Sequence, residues 1–198
     1  LDKAELLRNV GPVTVAKFLL NLRRHGGGLT TDTRKHNTGY MMTDVAERWL
    51  RRHGDDDPFF MYLHYGDPHH PYYPPRPLLH REAERHGVTP QEAGELALSH
   101  HANLAEHVAR GLPYTEREWA TLVDLYDAGV EYADRLVGRL LDTFEAVTDG
   151  ETVVVVTADH GELLGEQGLL GHRVSVHDAL VRVPMVVDGL DAALVHES

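Results

Sequence analysis

"TVVVVTADHGELLGEQGLLGH", residues 152–172, decides how the chain is read. Its run of four valines suits a strand, because branched side chains fit a pleated surface, and the lack of polar alternation predicts a central parallel strand covered on both faces. The run stops at Asp159-His160-Gly161-Glu162, an acid and an imidazole placed directly after a segment built for burial. In open α/β sheets, functional groups gather beyond the carboxyl ends of the strands. Asp159 offers a hard anionic oxygen there and His160 a neutral nitrogen, together a ligand pair suited to a divalent cation. Gly161 lets the backbone bend away, and Glu162 can orient the imidazole. The plainer alternative is that Asp159 caps a following helix and His160 is incidental. The rest of the stretch is punctuated by glycine and ends in His172-Arg173. Folded back over the strand end, His172 would serve an anionic substrate as a positive or proton-donating group. The alternative for His172 is a surface histidine in a loop.

Working upstream, Thr115 to Val147 carries the strongest helical periodicity, with Trp119, Leu122, Val123, Tyr126, Val130, Ala133, Val137, Leu140, Leu141 and Phe144 at three- and four-residue steps. Thr115 and Glu118 have the spacing of a capping box. "FFMYLHY", 59–65, is short and aromatic and predicts a buried strand. It runs into "GDPHHPYYPPRP", whose prolines predict a stiff loop presenting His69 and His70 at low entropic cost. Further helices are expected over 12–24, closed by the glycines at 26–28, over 38–52 with Met41, Met42, Val45, Trp49 and Leu50 on one side, and over 90–110. "VRVPMVV", 181–187, predicts a last strand. The sum is an α/β layered fold with no visible repeat: a single domain over 1–198, with 76–113 as a peripheral helical excursion.

Composition narrows the function. The 198 residues suffice for one sizeable core, and 42% hydrophobic with 25% charged content is ordinary for a globular protein. The net charge of −12, from 19 basic and 31 acidic residues, argues against nucleic acid as a partner. The lysines are only Lys3, Lys17 and Lys35, a pattern of halophile-like acidic surfaces or of arginine-favouring genomes. With no cysteine, disulfides and thiolate metal sites are excluded. No apolar run approaches bilayer length and no signal segment is visible, which favours a cytoplasmic location. The chain begins at Leu1 and not Met, so the expectation is that its natural N-terminus lies upstream.

Taken in order, these segments resemble the sulfatase family of the alkaline phosphatase superfamily. "PFFMYLHYGDPHHPYYPP" is similar to the family's strand and Asp-Pro-His-x-Pro-Tyr loop, and "LYDAGVEYADRLVGRLLDTF" to the long helix before its metal-binding strand. "TVVVVTADHGELLGEQGLLGH" resembles the segment with two metal ligands and a basic substrate contact, and "HDALVRVPMVV" the strand that follows, with Arg182 and Pro184 matching. The likeness spans most of residues 38–190. It implies a mixed, mostly parallel sheet flanked by helices, here lacking its N-terminal strands. It assigns Asp159 and His160 to a divalent metal, His69 to the sulfate or phosphate group, and His172 to the transferred group or leaving oxygen. Calcium is the family's expectation. The imidazole at 160, where many members carry Asn, brings in manganese, magnesium or zinc.

The resemblance implies hydrolysis of sulfate esters, on an anionic small molecule or glycan, and leaves room for a homodimer. Relatives that cleave phosphodiesters or phosphonate esters, or transfer phosphoryl groups, define the second reading; a non-catalytic fragment or interaction module is the third. The family's formylglycine nucleophile and its Cys/Ser-x-Pro/Ala-x-Arg motif are absent, since Ser99, Ser175 and Ser198 stand in other contexts. Both the nucleophile and the paired acidic ligands near the family's N-terminus are therefore expected upstream, and this chain alone is expected to be inactive.

Overall fold

A computed structural model describes residues 38–54, 58–103, 106–107, 110–111, 113–148, 152–173 and 175–190. The helix expected over 12–24 and its glycine stop lie outside them. The chain divides into two compact units, residues 1–103 with 114–147, and residues 104–113 with 148–198.

The first unit is built on α1 (Thr38–His53), α2 (Arg76–Arg85), α3 (Pro90–Ala102) and α4 (Glu116–Val147). α1 and the three-to-four-residue spacing of α4 match the expected helices, while the stretch expected to be helical over 90–110 runs as α3 to Ala102, turns at Asn103 and is helical again at 106, 107 and 110. Two capping boxes start α3 and α4. Thr89 Oγ accepts from the Glu92 amide at 3.2 Å while the Glu92 carboxylate accepts from the Thr89 amide at 2.6 Å. Thr115 and Glu118 repeat the exchange at 3.3 and 2.8 Å. Each box satisfies amides that the first helical turn leaves open.

The buried stripe of α4 contains Leu122 and Leu140 as expected, and Phe144 packs against the core, but it also takes in Thr121, Leu125, Ala128, Gly129, Leu136 and Thr143, whereas Val130 is exposed. The reason is close packing: small residues on this side admit neighbouring backbone, which bulky residues on the adjacent side would hold off. α1 buries Thr43, Ala46 and Leu50, and a core cluster forms from Ala46, Leu50 and Leu140 with Phe59, Met61, Leu63, Phe144 and Val147 packed against it. Trp49 stays at the rim, edge-on to Phe59 at 4.8 Å between ring centroids.

Residues 58–65 are extended, with Phe59, Met61 and Leu63 on the helices and Phe60 and Tyr62 exposed. The alternation is that of a strand. Yet among the described residues the segment joins no ladder, which corrects the expectation of a buried strand.

The second unit holds β1 (Val154–Thr157), β2 (Leu163–Leu164), β3 (Leu170–Gly171), α5 (Asp178–Val181) and β4 (Met185–Asp188). β1 pairs antiparallel with β4 from Val154↔Asp188 to Thr157↔Met185. β2 pairs antiparallel with β3, Leu163 opposite Gly171 and Leu164 opposite Leu170. The mostly parallel sheet is thus not seen among the described residues, and neither is a doubly covered valine strand: Val155 is 55% exposed and Val156 41%. The small core of this unit is Leu163, Leu170 and Leu180. Among the described residues no helix is long and apolar enough to cross a membrane.

Candidate functional site

In the first unit the proline-rich loop after residue 65 is held from three sides. Tyr65 Oη and Thr43 Oγ1 share a hydrogen bond of 2.9 Å, which ties the loop to the first turns of α1. A Cβ on Gly129 of α4 would stand 3.0 Å from Pro68 Cβ, and one on Gly94 of α3 would stand 2.9 Å from Tyr73. Both glycines therefore let helix backbone approach the loop more closely than any other residue would. Tyr72 is buried between His100 and Tyr126, with ring centroids at 5.7 and 5.5 Å. The peptide bonds Asp67–Pro68 and His70–Pro71 are cis.

The two histidines of the loop take opposite roles. His69 is exposed, and its Nδ1–H donates to the His70 carbonyl at 2.6 Å, which leaves Nε2 as the unprotonated nitrogen of the neutral ring. His70 is buried and shares a 2.7 Å hydrogen bond with His101, Nδ1 to Nδ1, in which one ring donates and the other accepts. Burial pushes the Asp67 carboxyl up to about 6, against the opposing effect of the Gly39 backbone N–H. Its Oδ2 is enclosed without a hydrogen-bond partner among the described residues. A small cavity lies beside it, lined by Asp67, His69, Tyr72, Tyr73 and Leu125 among others.

In the second unit, Asp159 and His160 follow β1 after Ala158. No helix begins there, so Asp159 is not a helix cap; its Oδ1 accepts from the His160 amide at 3.1 Å. Asp159 Oδ1 and His160 Nε2 stand 3.8 Å apart. The His160 Nδ1–H donates to the Gly161 carbonyl at 2.8 Å, which orients the ring and keeps Nε2 as its donor atom. Gly161 makes this turn feasible, because a Cβ there would overlap the Ala179 carbonyl oxygen.

The Glu162 carboxylate meets His172, whose Nδ1 lies 3.1 Å from Oε1 and 3.2 Å from Oε2. His172 stacks on His160 with centroids 4.2 Å apart and planes at 29°. Burial pulls the His172 imidazole below its ordinary value, helped by His160 and Arg173 and opposed by Asp159. The structure thus brings Asp159, His160, Glu162 and His172 together in one unit, and His69, His70 and His101 together in the other. Sequence reasoning overlooked Asp67, His101 and the Glu162–His172 pair. The last had a signal in the near-symmetric "ELLGEQGLLGH", which reads as a hairpin.

Comparison with known proteins adds an independent line. A model of the sulfatase family matches residues 27–192. The chain is 28% identical over 144 residues to the uncharacterized sulfatase YidJ of Escherichia coli strain K12, covering 67% of this chain and 27% of that protein. It is 27% identical to the choline-sulfatase of Rhizobium meliloti, covering 71% of this chain and 29% of the relative. Against arylsulfatase K of Xenopus laevis it is 26% identical, with 82% and 33% covered. The chain thus spans a third or less of the length of these curated relatives. No solved structure matches.

Proposed function

From the premise that this chain belongs to the sulfatase family, we propose that the whole protein hydrolyses sulfate esters and that this chain carries part of its metal and substrate site. One observation carries the reading: a carboxylate oxygen and an imidazole nitrogen at a strand end, 3.8 Å apart and each fixed by local backbone. That separation suits two donors sharing one divalent cation, and the donor set of hard oxygen and borderline nitrogen is chemically matched to it. When bound, such a cation would polarise a sulfuryl oxygen of the ester.

The chain's own groups supply the rest of the reading. Asp159 and His160 hold the cation. His69, presented by a loop clamped against α3 and α4, turns Nε2 toward the anionic group, where an Nε2–H of its imidazolium form would donate to an oxygen. His172 presents Nε2 to the leaving oxygen, and its imidazolium form carries at that nitrogen the proton that keeps the oxygen from departing as an unfavourable anion. The nucleophile, expected as formylglycine, belongs to the remainder of the protein. Both units are read as parts of one α/β catalytic domain whose completed sheet is mostly parallel. The substrate class is a sulfate ester of a small molecule or glycan.

The test is metal titration by calorimetry and turnover of an aryl sulfate, paired with an aryl phosphate diester, on the full-length protein and its Asp159→Ala variant. Loss of metal binding together with loss of aryl sulfate turnover is expected. Undiminished turnover with metal still bound would end the reading, and faster phosphate diester cleavage by the wild type would move it to the phosphodiesterase branch.

A further inference from the structure

The hairpin formed by β2, the turn at Glu166–Gly168 and β3 has a register with a direct consequence for its ends. Leu163 faces Gly171 and Leu164 faces Leu170, so the next pair outward is Glu162 opposite His172. Cross-strand neighbours of this kind have side chains within contact distance. The turn is built to keep that register. Gln167 and Gly168 adopt positive φ of 56° and 72°, and the Gly165 amide donates to the Leu169 carbonyl at 3.0 Å. Buried Leu163 and Leu170 anchor both strands.

The pair at the open end is well enclosed, with the Glu162 side chain 5% exposed and that of His172 15%. A carboxylate is not placed in such surroundings without a strong donor, and the imidazole is that donor. Both carboxylate oxygens lie at nearly equal distance from the same nitrogen, Nδ1. The His160 ring covers one face of the imidazole, so its tilt is restrained as well as its rotation.

We propose that Glu162 is a positioning residue for His172: it takes the Nδ1–H, fixes the ring in that tautomer, and thereby makes Nε2 the atom presented to the ester. The inference rests on the ester-hydrolase reading for its functional half only. The Glu162–His172 geometry stands whether or not the substrate is a sulfate. The bond belongs to the hairpin, so the sequence between the two residues acts as a ruler that sets where Nε2 points.

The test uses the full-length protein labelled with 15N-histidine, observed by NMR at about pH 8, where an ordinary imidazole is neutral. The His172 ring, assigned with His172→Gln, is expected as the Nδ1–H tautomer in the wild type. A wild-type ring found as the Nε2–H tautomer overturns the proposal without any variant. In Glu162→Leu the preference for Nδ1–H should disappear. kcat for an aryl sulfate should then fall about 10- to 100-fold, the range seen when a ring-orienting partner is lost, with KM and metal content unchanged. Glu162→Gln, which keeps an acceptor oxygen, should restore the Nδ1–H tautomer and most of kcat. An unchanged tautomer or an unchanged kcat in a folded Glu162→Leu protein overturns the proposal. Where the leucine variant does not fold, the wild-type tautomer and the glutamine variant decide. Absent turnover of every sulfate ester by the wild type refutes the ester reading and leaves the tautomer measurement to judge the pairing.

Discussion

Replacing Asp67 by asparagine should stabilise the protein at neutral pH and leave it nearly unchanged in acid. The side chain is largely enclosed beside the first turn of α1, and burial raises its pKa from 3.8 to about 6. The native carboxyl therefore holds its proton more tightly than the unfolded chain does. Its favourable contribution is fully present below the unfolded value and is lost as pH rises through about 6. A shift of about 2 units corresponds to about 3 kcal/mol of lost stability on the alkaline side, at 1.36 kcal/mol per unit. Asparagine keeps an oxygen for the Gly39 N–H and carries no charge to desolvate. Urea unfolding of wild type and Asp67→Asn, stepped from about pH 4 to about pH 8, measures the difference. We expect it near zero at the acid end and up to about 3 kcal/mol in favour of the variant above pH 7. A difference that is flat across this range, or a wild type that gains on the variant as pH rises, would refute the claim that this carboxylate is held at a cost.

Three further outcomes follow from packing and local geometry. Leu50→Ala empties a fully enclosed position in the α1–α4 core and should cost about 2–5 kcal/mol in urea unfolding. Thr115→Ala removes one half of the α4 capping box and should cost about 1 kcal/mol, read as a lowered urea midpoint at unchanged slope. Gly161→Ala would drive a Cβ into the Ala179 carbonyl, so the backbone carrying Asp159 and His160 must shift. Calorimetry on the full-length protein should show metal affinity reduced by about 10-fold or more, in line with the sensitivity of ligand geometry to its supports, and an unaltered affinity would show that the turn is not needed to hold the ligand pair.

What the sequence determined by itself was whatever is encoded over a few neighbouring residues. The three- and four-residue steps placed α1 and α4, Thr115 and Glu118 announced a cap, and Asp159-His160 after the valines marked the end of a strand. These follow from local backbone geometry, which acts within a turn of helix or a pair of strand residues. Periodicity found Leu122 and Leu140 on the buried side of α4, but tertiary structure decided that the stripe also takes in Ala128 and Gly129, because Gly129 meets Pro68, more than sixty positions away in sequence. It alone decided that Glu162 meets His172 across the hairpin, since register, and not proximity along the chain, selects the partner across a ladder. And it left β1 pairing antiparallel with β4 and open on its faces, because a valine run specifies a need for burial without specifying which neighbour provides it.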